Sequence, residues 1–105
     1  MDIDEDFRDH VIDLLIPFGD ISSRYMFGCC GIFESGVMFA LIAKSKLYLK
    51  VDSWNCAIYT AMGSSKFGKL AYFEVPDAAM NDPPTLHRLI EESLIVSREA
   101  KRPKR

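Results

Sequence analysis

From Val37 to Val51 the chain reads VMFALIAKSKLYLKV, and this stretch leaves few folds open. Seven apolar residues run from Val37 to Ala43. Lys44-Ser45-Lys46 follows, then an alternation that sets Leu47, Leu49 and Val51 on one side and Tyr48 and Lys50 on the other. A period of two is the signature of a strand with two unlike faces. A short polar link between two strands makes an antiparallel pair. The all-apolar strand belongs in the middle of a sheet, covered on at least one face and partly on both.

The flanking segments extend this pair into a meander. Arg24 to Phe27 reads as a short strand, Gly31 to Phe33 as another, and Glu34-Ser35-Gly36 as a hairpin turn. Leu70 to Val75 is a further strand, ended by Pro76. Helical spacing appears on either side. Phe7, Val11, Leu14, Leu15 and Phe18 form one apolar stripe on a helix from about Asp4 to Ile16. Its acidic first turn suits the positive end of the helix dipole, and Pro17 and Gly19 end it. Asp52 or Ser53 caps a helix over Trp54 to Met62, closed by Gly63, and a polar loop, GSSKFGK, follows. Asp77 to Met80 makes one helical turn. Asp82 caps the last helix, Pro83 takes its first position, and Leu86, Leu89, Ile90, Leu94 and Ser97 face inward. The expected fold is α+β, an antiparallel meander packed with N-terminal, middle and C-terminal helices. One domain over residues 3–100 and a basic tail over 101–105 account for the 105 residues.

Charge and cysteine usage narrow the function. No apolar run is long enough to cross a bilayer, and the acidic start, MDIDEDFRDH, is the reverse of a signal peptide, so a cytoplasmic protein is expected. The ends differ in sign. Lys101, Arg102, Lys104 and Arg105 form a basic tail that can track phosphates or simply solvate the terminus. Three cysteines without a signal argue against a disulfide framework. Cys29 and Cys30 are strand neighbours and point to opposite faces, so one is expected to be buried and the other exposed. Either could serve as a nucleophile with His10 or His87 as base, but both histidines fall in helices that nothing places beside the thiols. The cysteine and histidine spacing matches no zinc site, and no phosphate-binding loop is present, so neither metal nor cofactor is expected. Phe27, Phe33, Phe39, Tyr48, Tyr59, Tyr72 and Phe73, with Arg24, Lys44, Lys46, Lys50, Lys66 and Lys69, could make a base-stacking sheet. A small α+β core needs aromatics of its own, and core packing is the stronger reading.

Five segments carry a more specific likeness: Ser23-Arg24-Tyr25-Met26-Phe27-Gly28, Gly31-Ile32-Phe33, Gly36-Val37-Met38-Phe39-Ala40-Leu41-Ile42, Leu47-Tyr48-Leu49-Lys50-Val51-Asp52 and Tyr72-Phe73-Glu74-Val75-Pro76. Together they resemble the N-terminal domain of the TfoX/Sxy family over about residues 5 to 100. The resemblance implies a non-enzymatic regulator with a secretion-chaperone-like α+β fold and no catalytic residues. It also implies a protein partner, the cyclic-AMP receptor protein or other transcription machinery, since the best-known members promote natural competence with that receptor. Three departures stand out. Cys29 replaces the usual second glycine after Met-Phe-Gly, which would strain the chain if that position needs a positive φ. Lys44-Ser45-Lys46 replaces an Asp-Gly hairpin. The loop before the last strand is short. The competence regulators carry a second, helical domain, and this chain is expected to be a single-domain member with a role of its own.

The sequence thus points to a regulator acting through protein contacts. The signature around Gly28-Cys29-Cys30-Gly31 reads as a bend between strands, and Arg24, Tyr25, Met26, Phe27, Gly28 and Gly31 are the candidate partner surface. Two alternatives stay open: a DNA-binding protein using the basic tail, and a small thiol enzyme or redox sensor using Cys29 or Cys30. An exposed sheet edge also leaves a homodimer open.

Overall fold

The computed structural model describes residues 4–100. The elements run α1 (Glu5–Leu15), β1 (Ile21–Met26), β2 (Cys29–Glu34), β3 (Val37–Ala43), β4 (Lys46–Lys50), α2 (Cys56–Ala61), β5 (Tyr72–Glu74), α3 (Asp77–Met80) and α4 (Pro83–Ala100), with a turn of 3₁₀ helix, Ile16–Phe18, after α1. The five strands form one antiparallel sheet in the order β1-β2-β3-β4-β5. The expected α+β meander is the observed fold.

All the helices lie on one face of the sheet. Val11 and Leu15 of α1, Tyr59 of α2, Ala79 of α3, and Leu86, Leu89, Ile90 and Leu94 of α4 pack on Cys30, Ile32, Phe39, Ala40, Ile42, Leu47 and Leu49 in the main core. The opposite, open face carries a smaller cluster in which Met38, Ala43, Tyr48 and Phe67 pack around Cys29, Leu41 and Tyr72. Strand alternation thus sorts one apolar sequence into two cores, and β3 is covered on both sides as its composition requires.

Several boundaries differ from the sequence reading. β1 and β2 are longer and meet at a two-residue loop, because Met26 pairs with Cys29. The middle helix starts only at Cys56. The Asp52 carboxylate accepts from Trp54 N at 2.8 Å, and Asn55 Oδ1 accepts from Asp52 N at 2.8 Å, so residues 52–55 make a side-chain-bonded turn instead of a first helical turn. β5 is shortened to three residues. Leu70 N bonds back to Phe67 O at 3.0 Å, which holds that segment in a turn and lays Phe67 on Tyr48.

Candidate functional site

Phe27 and Gly28 make the β1–β2 turn, with φ of 51° and 78°. Positive φ at both central positions is the type I′ geometry, whose twist matches that of the strands. Asn-Gly or Asp-Gly is the usual choice there, because a bulky side chain in the left-handed region is strained. Phe27 is not only strained but 98% exposed. It therefore gains nothing from burial within its own chain, while the turn disfavours it.

A second turn at the same end of the sheet is tied to α1. In a meander the β1–β2 and β3–β4 turns lie at the same end of the sheet. There Ser45 Oγ donates to Asp4 Oδ2 at 3.0 Å, tying the start of α1 to the β3–β4 turn. Asp4 also caps α1 by accepting from Phe7 N at 3.1 Å. The Phe7 N–H first, then the Ser45 hydroxyl, hold its carboxyl below the ordinary aspartate value.

The six candidate surface residues divide among three places. Arg24, Met26 and Gly31 lie on the open face. Arg24 is exposed and holds its guanidinium 5.2 Å over the Phe33 ring. Gly31 is a buried notch: a Cβ there would lie 3.1 Å from Met26 Cε and 3.3 Å from Met38 Cε. The two methionine tips close over it, so Gly31 serves packing. Tyr25 is on the helix face, 44% exposed, with the Arg8 guanidinium 5.6 Å from its ring centroid. Phe27 and Gly28 alone of the six occupy the turn. The bend read from the sequence is thus Phe27-Gly28, whereas Cys29, Cys30 and Gly31 belong to β2. Because the positive φ falls at Phe27 and Gly28, a cysteine at position 29 causes no backbone strain.

Both cysteines of β2 are buried, at 9% and 1% exposure, where one was expected to be free. They do point to opposite faces, but each face has its own apolar cluster to receive one. Burial pushes the Cys30 thiol above its ordinary value. His10 and His87 line a groove of about 290 Å³ with Leu14, Met80, Leu86 and Ile90, and neither cysteine reaches it. No thiol is paired with a base, and no group of three or more metal-ligating side chains occurs among the described residues.

The aromatic set divides as well. Phe39 and Tyr59 are fully buried on the helix face, and Phe73 packs there. On the open face Arg24 covers Phe33, the Lys50 ammonium lies 5.9 Å from the Tyr72 centroid, and Phe67 meets Tyr48 edge-on at 4.9 Å. A base would have to displace these partners before it could stack. Lys101, Arg102, Lys104 and Arg105 lie outside the described residues.

The sheet thus carries its helices on one face, buries both strand cysteines and presents Phe27 exposed on a hairpin turn. The family model of the TfoX N-terminal domain matches residues 13–96, and the chain belongs to that family, a non-catalytic regulatory one. The chain is similar to the DNA transformation protein TfoX1 of Aliivibrio fischeri, at 26% identity over 88 residues, which covers 76% of this chain and 42% of that protein. It thus spans less than half the length of the curated relative it matches. No helix among the described residues is long and apolar enough to cross a membrane.

Proposed function

We propose that this domain is a cytoplasmic, transcription-linked regulator that works by docking a protein partner at the β1–β2 turn. The observation that carries the reading is Phe27, 98% exposed at a φ of 51°. A residue that breaks a local rule without any return inside its own fold points to a role outside it. Exposed aromatics that bury on docking are the usual anchors of protein interfaces. The name of the relative, a DNA transformation protein, supports control of DNA uptake as the setting. The cyclic-AMP receptor protein on a competence-type promoter is the partner to test first.

The test is a gel shift of such promoter DNA with and without that receptor, using wild type, Phe27→Asn and Arg24→Glu. The expected result is a supershift that needs the receptor, is lost with Phe27→Asn and is weakened with Arg24→Glu. A shift by this chain alone that falls steeply with salt would replace docking with phosphate binding. A supershift that Phe27→Asn leaves intact would remove the turn from the interface.

A further inference from the structure

β1 is an edge strand, and its hydrogen-bonding direction can be read from the chain. The two-residue turn makes Met26 and Cys29 a bonded pair, so Arg24 and Ser22 also bond to β2. One step further on, Ser35 N donates to Asp20 O at 2.9 Å, which fixes the same parity independently. The backbone groups of Ile21, Ser23 and Tyr25 therefore point outward. Nothing among the described residues pairs with this side, and Ser22, Ser23, Arg24 and Tyr25 are all exposed. The usual edge defences are missing. ISSRYM has no proline, and its single charge, Arg24, leans inward over Phe33.

We infer that this edge pairs with the same edge of a second copy, antiparallel about a two-fold axis through Ser23. That register joins the two outward sets. Ser23 bonds its counterpart on the axis, and Ile21 and Tyr25 form a bonded pair on either side. Ile21 and Tyr25 share the helix face, so the tyrosine ring, 44% exposed in the single chain, is covered by the partner's isoleucine. On the open face Ser22 stands opposite Arg24, and Arg24 also lies diagonally across from Asp20 of the second copy. The two arginines are diagonal to each other too, and the stacking of each on its own Phe33 draws them off the axis. The neighbouring register centred on Arg24 also joins outward groups, Ser23 with Tyr25, but it sets two arginines directly opposite each other in a close non-bonded pair, where like charges repel. A register centred on Tyr25 runs into the Phe27-Gly28 turn. The Ser23 register joins two five-stranded halves into one sheet and leaves a Phe27 turn free at each end of the seam, so the pairing does not depend on the docking role of Phe27.

Sedimentation equilibrium over a concentration series tests this. The wild type is expected to approach twice its 11.9 kDa chain mass as concentration rises. Ser23→Lys leaves the backbone alone but sets two ammonium groups opposite each other on the axis. It should raise the dimer Kd by roughly tenfold or more with an unchanged thermal transition. Ser23→Cys should cross-link with itself under mild oxidation, since a bonded pair brings Cα atoms to about 5.5 Å, within disulfide reach. The wild type, with its own three cysteines, is the control. Single-chain mass at every concentration would overturn the inference. So would a Ser23→Lys protein that dimerises like the wild type, or a Ser23→Cys protein that links no faster than the control.

Discussion

Phe39 and Lys50 face each other across β3 and β4, and the hydroxyl of Ser93 joins them. The register that pairs Leu41 with Tyr48 would set Phe39 opposite Lys50 two residues on, but a bulge at Phe39 breaks the ladder. Ser93 Oγ accepts from Lys50 N at 2.9 Å and donates to Phe39 O at 2.8 Å. A helix side chain thus replaces one rung of the sheet, and it does so fully buried.

Ser93→Ala should therefore be more harmful than its size suggests. It removes both bonds and leaves a backbone donor and acceptor without partners in the core. The expected loss is about 2 kcal/mol, within the range for an unsatisfied buried group. Urea denaturation should show a lower midpoint at an unchanged slope. A loss below about 0.5 kcal/mol would mean that the rung closes directly without the serine.

Glu34 gives the fold a pH dependence. Its carboxylate accepts from Ser35 Oγ at 2.7 Å, from Arg98 Nη2 at 3.1 Å and from Asp20 N at 3.4 Å. The Ser35 hydroxyl first, then Arg98, lower its pKa below the ordinary 4.5. A carboxyl depressed on folding adds stability above its unfolded value and loses it as pH falls through the folded one. Glu34→Gln should thus be less stable than wild type at neutral pH. The Arg98 partner is about half exposed, so the gap should stay below about 1 kcal/mol. It should close once the pH drops well below 4.5. Thermal melts across that range would show it, and a gap that persists in acid would assign the loss to shape instead of charge.

The meander, the helices and the inward stripe of α4 were legible because each rests on a local period or a local cap. Val37–Ala43 and Asp82-Pro83 needed no knowledge of the rest of the chain. What escaped the sequence depends on pairs far apart in it. Ser93 sits in an apolar stripe and gives no sign that a bulge 54 positions earlier needs a hydroxyl. The burial of both cysteines depended on a second cluster that Phe67 reaches only through a turn in a loop read as merely polar. At the candidate site the sequence grouped six residues as one surface, whereas the structure spreads them over two sheet faces and a turn, with Gly31 a packing notch and Phe27 the exposed tip. A motif string does not separate those roles; the side to which each residue points does.

The cysteines should react in a definite order. Cys30 is 1% exposed and its thiol is raised by burial, so little thiolate forms at neutral pH. Cys29 is 9% exposed, under the open-face cluster. Cys56 is half-buried at the start of α2. Iodoacetamide on the folded protein should therefore label Cys56 first, and Cys29 and Cys30 only on unfolding, as peptide mass mapping would resolve. Rapid labelling of either strand cysteine in the native state would restore the thiol reading that their burial now opposes.

The last prediction sets stability against contact at one position. Phe27→Asn converts the turn to Asn-Gly, the sequence best suited to positive φ at both positions. The wild-type ring is 98% exposed, so removing it gives up almost no burial, while relief of the backbone strain should stabilise by about 0.5–1 kcal/mol. For a domain of this size that is a rise of a few degrees in Tm. A stabilised variant that has lost its partner would separate docking from folding at a single residue, because damage to the fold cannot explain loss of binding in a protein that melts higher. A fall in Tm would instead show that Phe27 packs against its own chain in solution, and the turn would lose its claim as an anchor.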